Sequence, residues 1–288
     1  MMRAASTYVY LNERLHPGLL DALVRGGVQA IEIYCARQHF DYASRQQILE
    51  ISGFFKSNEV SLHALRGPKF TDDDSGHNDG AEVNLAAHDK RQRVESMDEI
   101  KRALEVAEIL PFRYLVQHIC KPEESFDERK FENVMACLEH LLTFAKPLSV
   151  QLLLENSYGD LSGAEKLVEL IRTLHFDDMK ICFDVGHAHL SRGNQDADAN
   201  GVAGQFAIAK DYIRSTHLHD NEGERDHHLW PGAGTPGGVD WAETMRLLRS
   251  LPQPPALVIE AAGNDGLDVP AKLSEAFQKL ESAGKTAD

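Results

Sequence analysis

Paired cysteines, long apolar runs and a surplus of positive charge are all missing from this sequence, and each absence removes a class of function. The four cysteines (Cys35, Cys120, Cys137, Cys182) are scattered and form no CxxC. In a chain of this size they read as buried or free thiols in a reducing compartment. No segment approaches the ~18 apolar residues of a membrane span. The first residues, MMRAASTYVYLNERL, have no apolar core of the signal-peptide kind, so a cytoplasmic protein with no membrane partner is expected. Lys and Arg number 30 against 45 Asp and Glu, a formal net charge of −15. Nucleic-acid binders draw affinity from neutralising phosphates, so this balance disfavours nucleic acid and anionic membranes as partners. No GxGxxG or GxxxxGK[ST] loop is present, which weighs against an open doubly wound nucleotide-binding sheet. There is no Pro/Ser linker and no low-complexity tract, and the whole chain, 1–288, reads as one domain.

What the sequence does contain is a repeated alternation. Short runs rich in β-branched and aromatic residues recur: STYVY (6–10), AIEIY (30–34), VSLHAL (60–65), YLVQHI (114–119), VQLLLE (150–155), KICFD (180–184), IRSTHLH (213–219) and ALVIE (256–260). Each is short enough for a strand buried on both faces. Between them, stretches at 19–28, 44–58, 94–110, 126–146, 162–174, 241–251 and 268–282 keep apolar residues three and four apart, as amphipathic helices do. Alternating β and α units predict a parallel sheet, and eight of them in this length predict an α/β protein of the (β/α)8 TIM-barrel class. The longest irregular piece, about 66–93, is expected to be a long βα loop, the kind that is usually functional or mobile.

In such a barrel the active site lies at the C-terminal ends of the strands. Strand three offers His63, strand four His118, strand five Glu155, strand six Asp184 and His187, strand seven His217 and His219, and strand eight Glu260. Any one of these could be a strand residue reaching solvent at the rim. A carboxylate closing an apolar run must otherwise be paired or metal-bound to offset its desolvation. Six successive strand ends of this kind predict a mixed imidazole and carboxylate cluster, a ligand set preferred by Zn, Mn, Co or Fe. His16, His140 and His175 sit in helical or turn contexts and read as surface or satisfied histidines. His39, His77 and His88 lie in presumed βα loops, where lone histidines are more often solvated. The acidic run at 72–74 reads as a solvated face, and Arg37, Arg66, Lys69 and Lys121 as surface charges that could also serve a substrate.

The pieces LLLEN (152–156), FDVGHAH (183–189), HLHDN (217–221), the DxHxxxGxG pattern from Asp226 to Gly234 and VIEAAG (258–263) resemble the xylose-isomerase-like barrel superfamily, which contains sugar-phosphate isomerases and epimerases and endonuclease IV. The resemblance covers nearly the whole chain. For the isomerase and epimerase branch it implies one divalent metal (Mn, Zn, Co or Mg, at least one per chain) on Glu155, Asp184, His217 and Glu260. It implies Glu155 and Glu260 as the acid/base pair, and His187 as a ligand to substrate oxygen. His63, His118 and Arg225 would contact a small carbohydrate substrate, and homo-oligomers are common in the branch. The endonuclease IV branch instead implies three zinc ions on nine ligands, matched here by His63, His118, Glu155, Asp184, His187, His217, Asp226, His228 and Glu260, and cleavage of abasic DNA. The net charge, and HLHDNEG followed by GVDW (238–241), look more like the first branch. His227 is expected to point away from the site. The better-defined epimerases carry an arginine shortly after the strand-seven histidine, and only Arg225 is near here.

Overall fold

A computed structural model of the chain describes residues 1–71, 81–122, 124–175, 178–191, 200–263 and 266–285. The strands are β1 (Arg3–Ser6), β2 (Ala30–Tyr34), β3 (Ser61–Arg66), β4 (Tyr114–Gln117), β5 (Gln151–Glu155), β6 (Lys180–Asp184), β7 (Ile213–Leu218) and β8 (Leu257–Ile259). They close into one barrel in sequence order, and every neighbouring pair is parallel. The helices are α1 (Pro17–Arg25), α2 (Arg45–Ser57), α3 (Lys90–Glu105), α4 (Glu128–Ala145), α5 (Ala164–Leu174), α6 (Val185–Leu190), α7 (Gly201–Ala209), α8 (Trp241–Arg249) and α9 (Val269–Ser282). The (β/α)8 TIM-barrel expectation therefore holds.

Local chemistry sets the helix starts. Ser44, Asp89, Asp127, Asp240 and Asp268 each accept a first-turn backbone N–H, and such a cap contributes ~1 kcal/mol. The largest apolar cluster packs the outward strand faces against the helices. Inside the ring, two small clusters fill the bore: Ala4, Ala30, Ala256 and Val258, and Ala64, Tyr114, Val116, Leu153 and Cys182. All four cysteines are buried and unpaired.

Three expectations need correction. STYVY is not the first strand: β1 starts three residues earlier in RAAS, and Thr7–Tyr10 form a 3-10 turn with Ser6 Oγ accepting from Tyr8 N. The ring needs Ala4 between Ala30 and Val258, so register overrides the β propensity of TYVY. α7 carried no helical pattern because GVAGQFAIA is apolar on nearly every face and holds two glycines. α3 begins at Lys90, inside the stretch read as loop. The run at 72–74 and His77 lie outside the described residues.

Candidate metal centre

Glu155 and Asp184 end β5 and β6, His217 lies near the end of β7, and Glu260 follows β8 directly. Pairing of Asp184 with His217, and of His217 with Val258, sets these ends at one level of the ring. One ligand atom from each of the four lies within 4.8 Å of the other three, and all four residues are buried. His217 Nδ1 is 3.0 Å from Glu155 Oε1, 3.5 Å from Glu260 Oε2 and 3.8 Å from Asp184 Oδ2. Its other nitrogen, Nε2, donates to Glu32 Oε2 at 3.0 Å. Glu32 is fully buried in the middle of β2. The histidine thus has one nitrogen in the cluster and one fixed by a carboxylate, the arrangement that orients metal-binding imidazoles.

The donor set suits a divalent ion. Glu155 Oε2 and both Glu260 carboxylate oxygens are buried without a hydrogen-bond partner, a costly condition that a bound cation relieves. Three carboxylates and an imidazole fit Mn, Zn, Co or Mg.

The charges at the site are uneven. Burial pushes the Glu155 carboxyl up, but Arg66, His118 and His217 outweigh it and hold it well below the usual range. For Glu260 burial wins over His217, His228 and Arg66, and its pKa is raised. Burial opposes a charge on His217, yet the neighbouring Cys182, Glu260, Glu32 and Glu155 raise its pKa well above the imidazole value.

A second cluster sits beside the first. His187, His219, Asp226 and His228 also offer one ligand atom each within 4.8 Å of one another. His187 Nδ1 donates to the Asn156 carbonyl at 2.9 Å, and Nε2 lies 3.1 Å from Asp226 Oδ2. His228 Nδ1 donates to the Glu260 carbonyl at 2.9 Å, leaving Nε2 3.4 Å from Asp226 Oδ2. His219 Nε2 is 3.0 Å from Asp184 Oδ1, with Nδ1 3.7 Å from Asp226 Oδ1. His228 holds its ring there at φ 46, a left-handed conformation that a non-glycine residue adopts at a cost of ~1–3 kcal/mol. Gly186 makes room for His219, since a Cβ at that position would lie 2.1 Å from the imidazole.

The loop that carries Asp226 and His228 is tied down by Asp220. Its carboxylate accepts from Asn221 N, Val239 N and Trp241 Nε1, each at 2.9 Å. HLHDN and GVDW are therefore two ends of one clasp. His227 is exposed, with Nδ1 3.4 Å from Glu222 Oε2.

Not every expected residue joins. His118 does, with Nε2 3.1 Å from Glu155 Oε2 and 3.1 Å from Arg66 Nη2; burial and Arg66 lower its pKa to about 4. His63 does not. Its Nε2 lies 2.9 Å from Ser215 Oγ and its ring meets Tyr114 edge-on, inside the bore and below the mouth. β3 continues past His63 to Arg66, which is the residue that reaches the mouth. Arg225 is exposed and is not brought into either cluster. His39, expected to be solvated, is fully buried, with Nδ1 on the Glu13 carbonyl at 2.6 Å and Nε2 on Thr7 Oγ1 at 2.8 Å. Arg66, read as a surface charge, is buried, with Nη2 2.8 Å from Glu155 Oε2. Glu32 was missed as a site residue, and His219, offered by the end of strand seven, was given no place in either ligand set. HxH in a strand puts 217 and 219 on one face, a signal present in the sequence; Glu32 had only its anomaly inside AIEIY.

The mouth opens beside a cleft of about 160 Å³ lined by Tyr8, Tyr34, Arg37 and Lys69 among others. Tyr8 links it to the second cluster, its ring 4.7 Å from that of His228.

A family model described as xylose isomerase-like TIM barrel matches residues 20–283. An uncharacterized protein of Methanocaldococcus jannaschii is 29% identical over 156 residues, covering 53% of this chain and 58% of that relative's length. Among solved structures, a D-tagatose 3-epimerase-like protein has a TM-score of 0.77 at 22% identity, covering 99% of this chain and 98% of that one. The IOLI protein with a binding zinc atom has a TM-score of 0.73 at 18% identity, covering 98% and 96%.

Proposed function

The chain belongs to the xylose isomerase-like TIM barrel family, and from that membership we propose that it is a divalent-metal-dependent isomerase or epimerase of a small carbohydrate, whether a sugar, a sugar phosphate or an inosose. The observation that carries this is the buried set Glu155, Asp184, His217 and Glu260, with ligand atoms within 4.8 Å. Likeness to a D-tagatose 3-epimerase-like protein and to a zinc-containing barrel supports it.

Those four residues would hold the ion. When bound, it supplies Lewis acidity that eases removal of a C–H proton beside a carbonyl. Glu32 keeps the His217 ring turned toward the cluster. Glu155 and Glu260 come from separated strands and are the acid/base pair: one carboxylate takes the C–H proton, and the other, carrying a proton of its own, delivers one to the opposite face. Return to the same carbon from the other face is epimerisation; return to the neighbouring carbon is isomerisation. Tyr8 and Tyr34 line the cleft through which a sugar ring would enter.

The test is proton exchange. Manganese-loaded protein in heavy water should place deuterium beside the carbonyl of at least one member of a panel of ketoses and inososes, read by NMR. Glu260→Gln should slow that exchange by ~10²–10⁴-fold while keeping the fold. No exchange across the panel by the loaded parent would sink the proposal.

The second cluster favours one other reading, a zinc phosphodiesterase acting on abasic DNA. Additional ions on His187, Asp226 and His228 would steady a leaving phosphate oxygen. It requires about three zinc per chain; His118, Glu155 and His187 offer a third group of ligand atoms within 4.8 Å, but Arg66 Nη2 already lies 2.8 Å from Glu155 Oε2 and 3.1 Å from His118 Nε2. Metal counting on the purified protein separates the two.

A further inference from the structure

Arg66 is 4% exposed and sits among ligating carboxylates at the mouth. Its guanidinium is engaged at one end only. Nη2 lies 2.8 Å from Glu155 Oε2 and 3.1 Å from His118 Nε2. Nε is buried without a hydrogen-bond acceptor, and Glu260 Oε1 lies 3.8 Å away. A guanidinium placed only to balance two glutamates would be expected to fork onto them through paired N–H groups. This one presents an unmatched N–H between Glu155 and Glu260, the two groups that flank the reacting carbons in the proposed chemistry. Tyr34 packs at its other side, 5.9 Å from guanidinium carbon to ring centroid, and Tyr34 also lines the adjoining cleft.

Resting on the proposed reaction, we propose that Arg66 is the oxyanion subsite of this centre: its Nε–H receives the substrate oxygen that gains charge, selecting ligands with a planar pair of adjacent oxygens. In the step it serves, a glutamate carboxylate removes the C–H proton. The C–H electron pair becomes the new C=C bond, and the carbonyl π pair moves onto oxygen, where the Arg66 N–H donates. Proton return reverses this flow. A fixed cation at that point needs no reorganisation as charge develops, and losing one such donor slows reactions by ~10²–10³-fold.

Acetohydroxamate, a small planar oxygen pair, is the probe. It is titrated by calorimetry into manganese-loaded parent, Arg66→Gln and Arg66→Lys, with manganese per chain measured on each. Arg66→Gln is expected to keep the manganese and bind at least about tenfold more weakly. Arg66→Lys, which keeps the charge and loses the fork, should fall between. In heavy-water exchange the Gln variant should lose ~10²-fold in kcat with KM changed little. Gln and Lys variants that bind the probe within about twofold of the parent overturn the subsite, as does a loaded parent that fails to bind it. If the Gln variant fails to fold, the Lys variant alone decides by the same criterion. A parent that binds acetohydroxamate through Arg66 but exchanges no ketose leaves the subsite standing and removes the sugar chemistry instead.

Discussion

His217 is gripped from both sides, and that grip fixes what Glu32 must do. Nε2–H on Glu32 at 3.0 Å turns Nδ1 toward Glu155, Asp184 and Glu260. Glu32→Gln keeps the shape but can present an N–H where an acceptor is needed. Metal affinity should fall by ~10–100-fold, the usual effect of losing such a partner, with the circular dichroism spectrum unchanged. Unaltered zinc affinity in a competition titration would show that Glu32 does not orient the ligand. His187 gives a second residue-scale expectation. Burial works against its charge, but Asp184 and Asp226 raise its pKa from 6.5 to about 10. A raised pKa contributes stability that is complete below the unfolded value and fades as pH climbs through the folded one. Chelator-treated protein should therefore lose thermal stability between about pH 6.5 and 10, and His187→Asn should flatten that slope. Calorimetric melts across this range check it; parallel slopes for the two proteins would refute it.

At the scale of elements, the clasp from β7 to α8 holds one cluster in place. Asp220 is buried and accepts three N–H groups. Asp220→Ala leaves those donors buried and unpaired, and should cost about 2–4 kcal/mol in urea unfolding. Trp241→Phe removes only the indole donor and should cost about 1 kcal/mol. Equal effects would mean that the two backbone bonds carry no weight. The same elements show what the sequence could disclose. The ends of β5 to β8 were legible because a carboxylate or imidazole closing an apolar run has few explanations other than a polar cluster. β1 was misplaced because TYVY has strand chemistry but the ring's register needs Ala4 and Ala5. His63 was chosen over Arg66 because the strand's end, not its composition, decides which side chain reaches the mouth. Glu32 stayed hidden because its partner, His217, is 185 residues away in the chain.

For the whole molecule, the balance of −15 bears on what can enter the mouth. The first cluster adds three carboxylates there, with Glu32 below, and the Arg66 guanidinium lies among them with Nη2 2.8 Å from Glu155 Oε2. Arg37, at the adjoining cleft, is ion-paired with Glu99 at 2.8 Å. A DNA duplex carries one charge per ~1.7 Å and binds by exchanging counterions for Lys and Arg contacts, each of which steepens the salt dependence. Among the described residues at the mouth and its cleft, Arg66 and Arg37 face carboxylates and Lys69 stands exposed, so few such contacts can form. A small sugar needs none of them. Manganese- or zinc-loaded protein should therefore fail to retain an abasic duplex even near 0.05 M salt, where backbone contacts are strongest, and should leave it unnicked. Fluorescence anisotropy against salt concentration measures this directly. Tight binding with a slope of several counterions would show that the loops supply cations this barrel mouth lacks, and would move the second cluster from a neighbour of the sugar to a phosphate site.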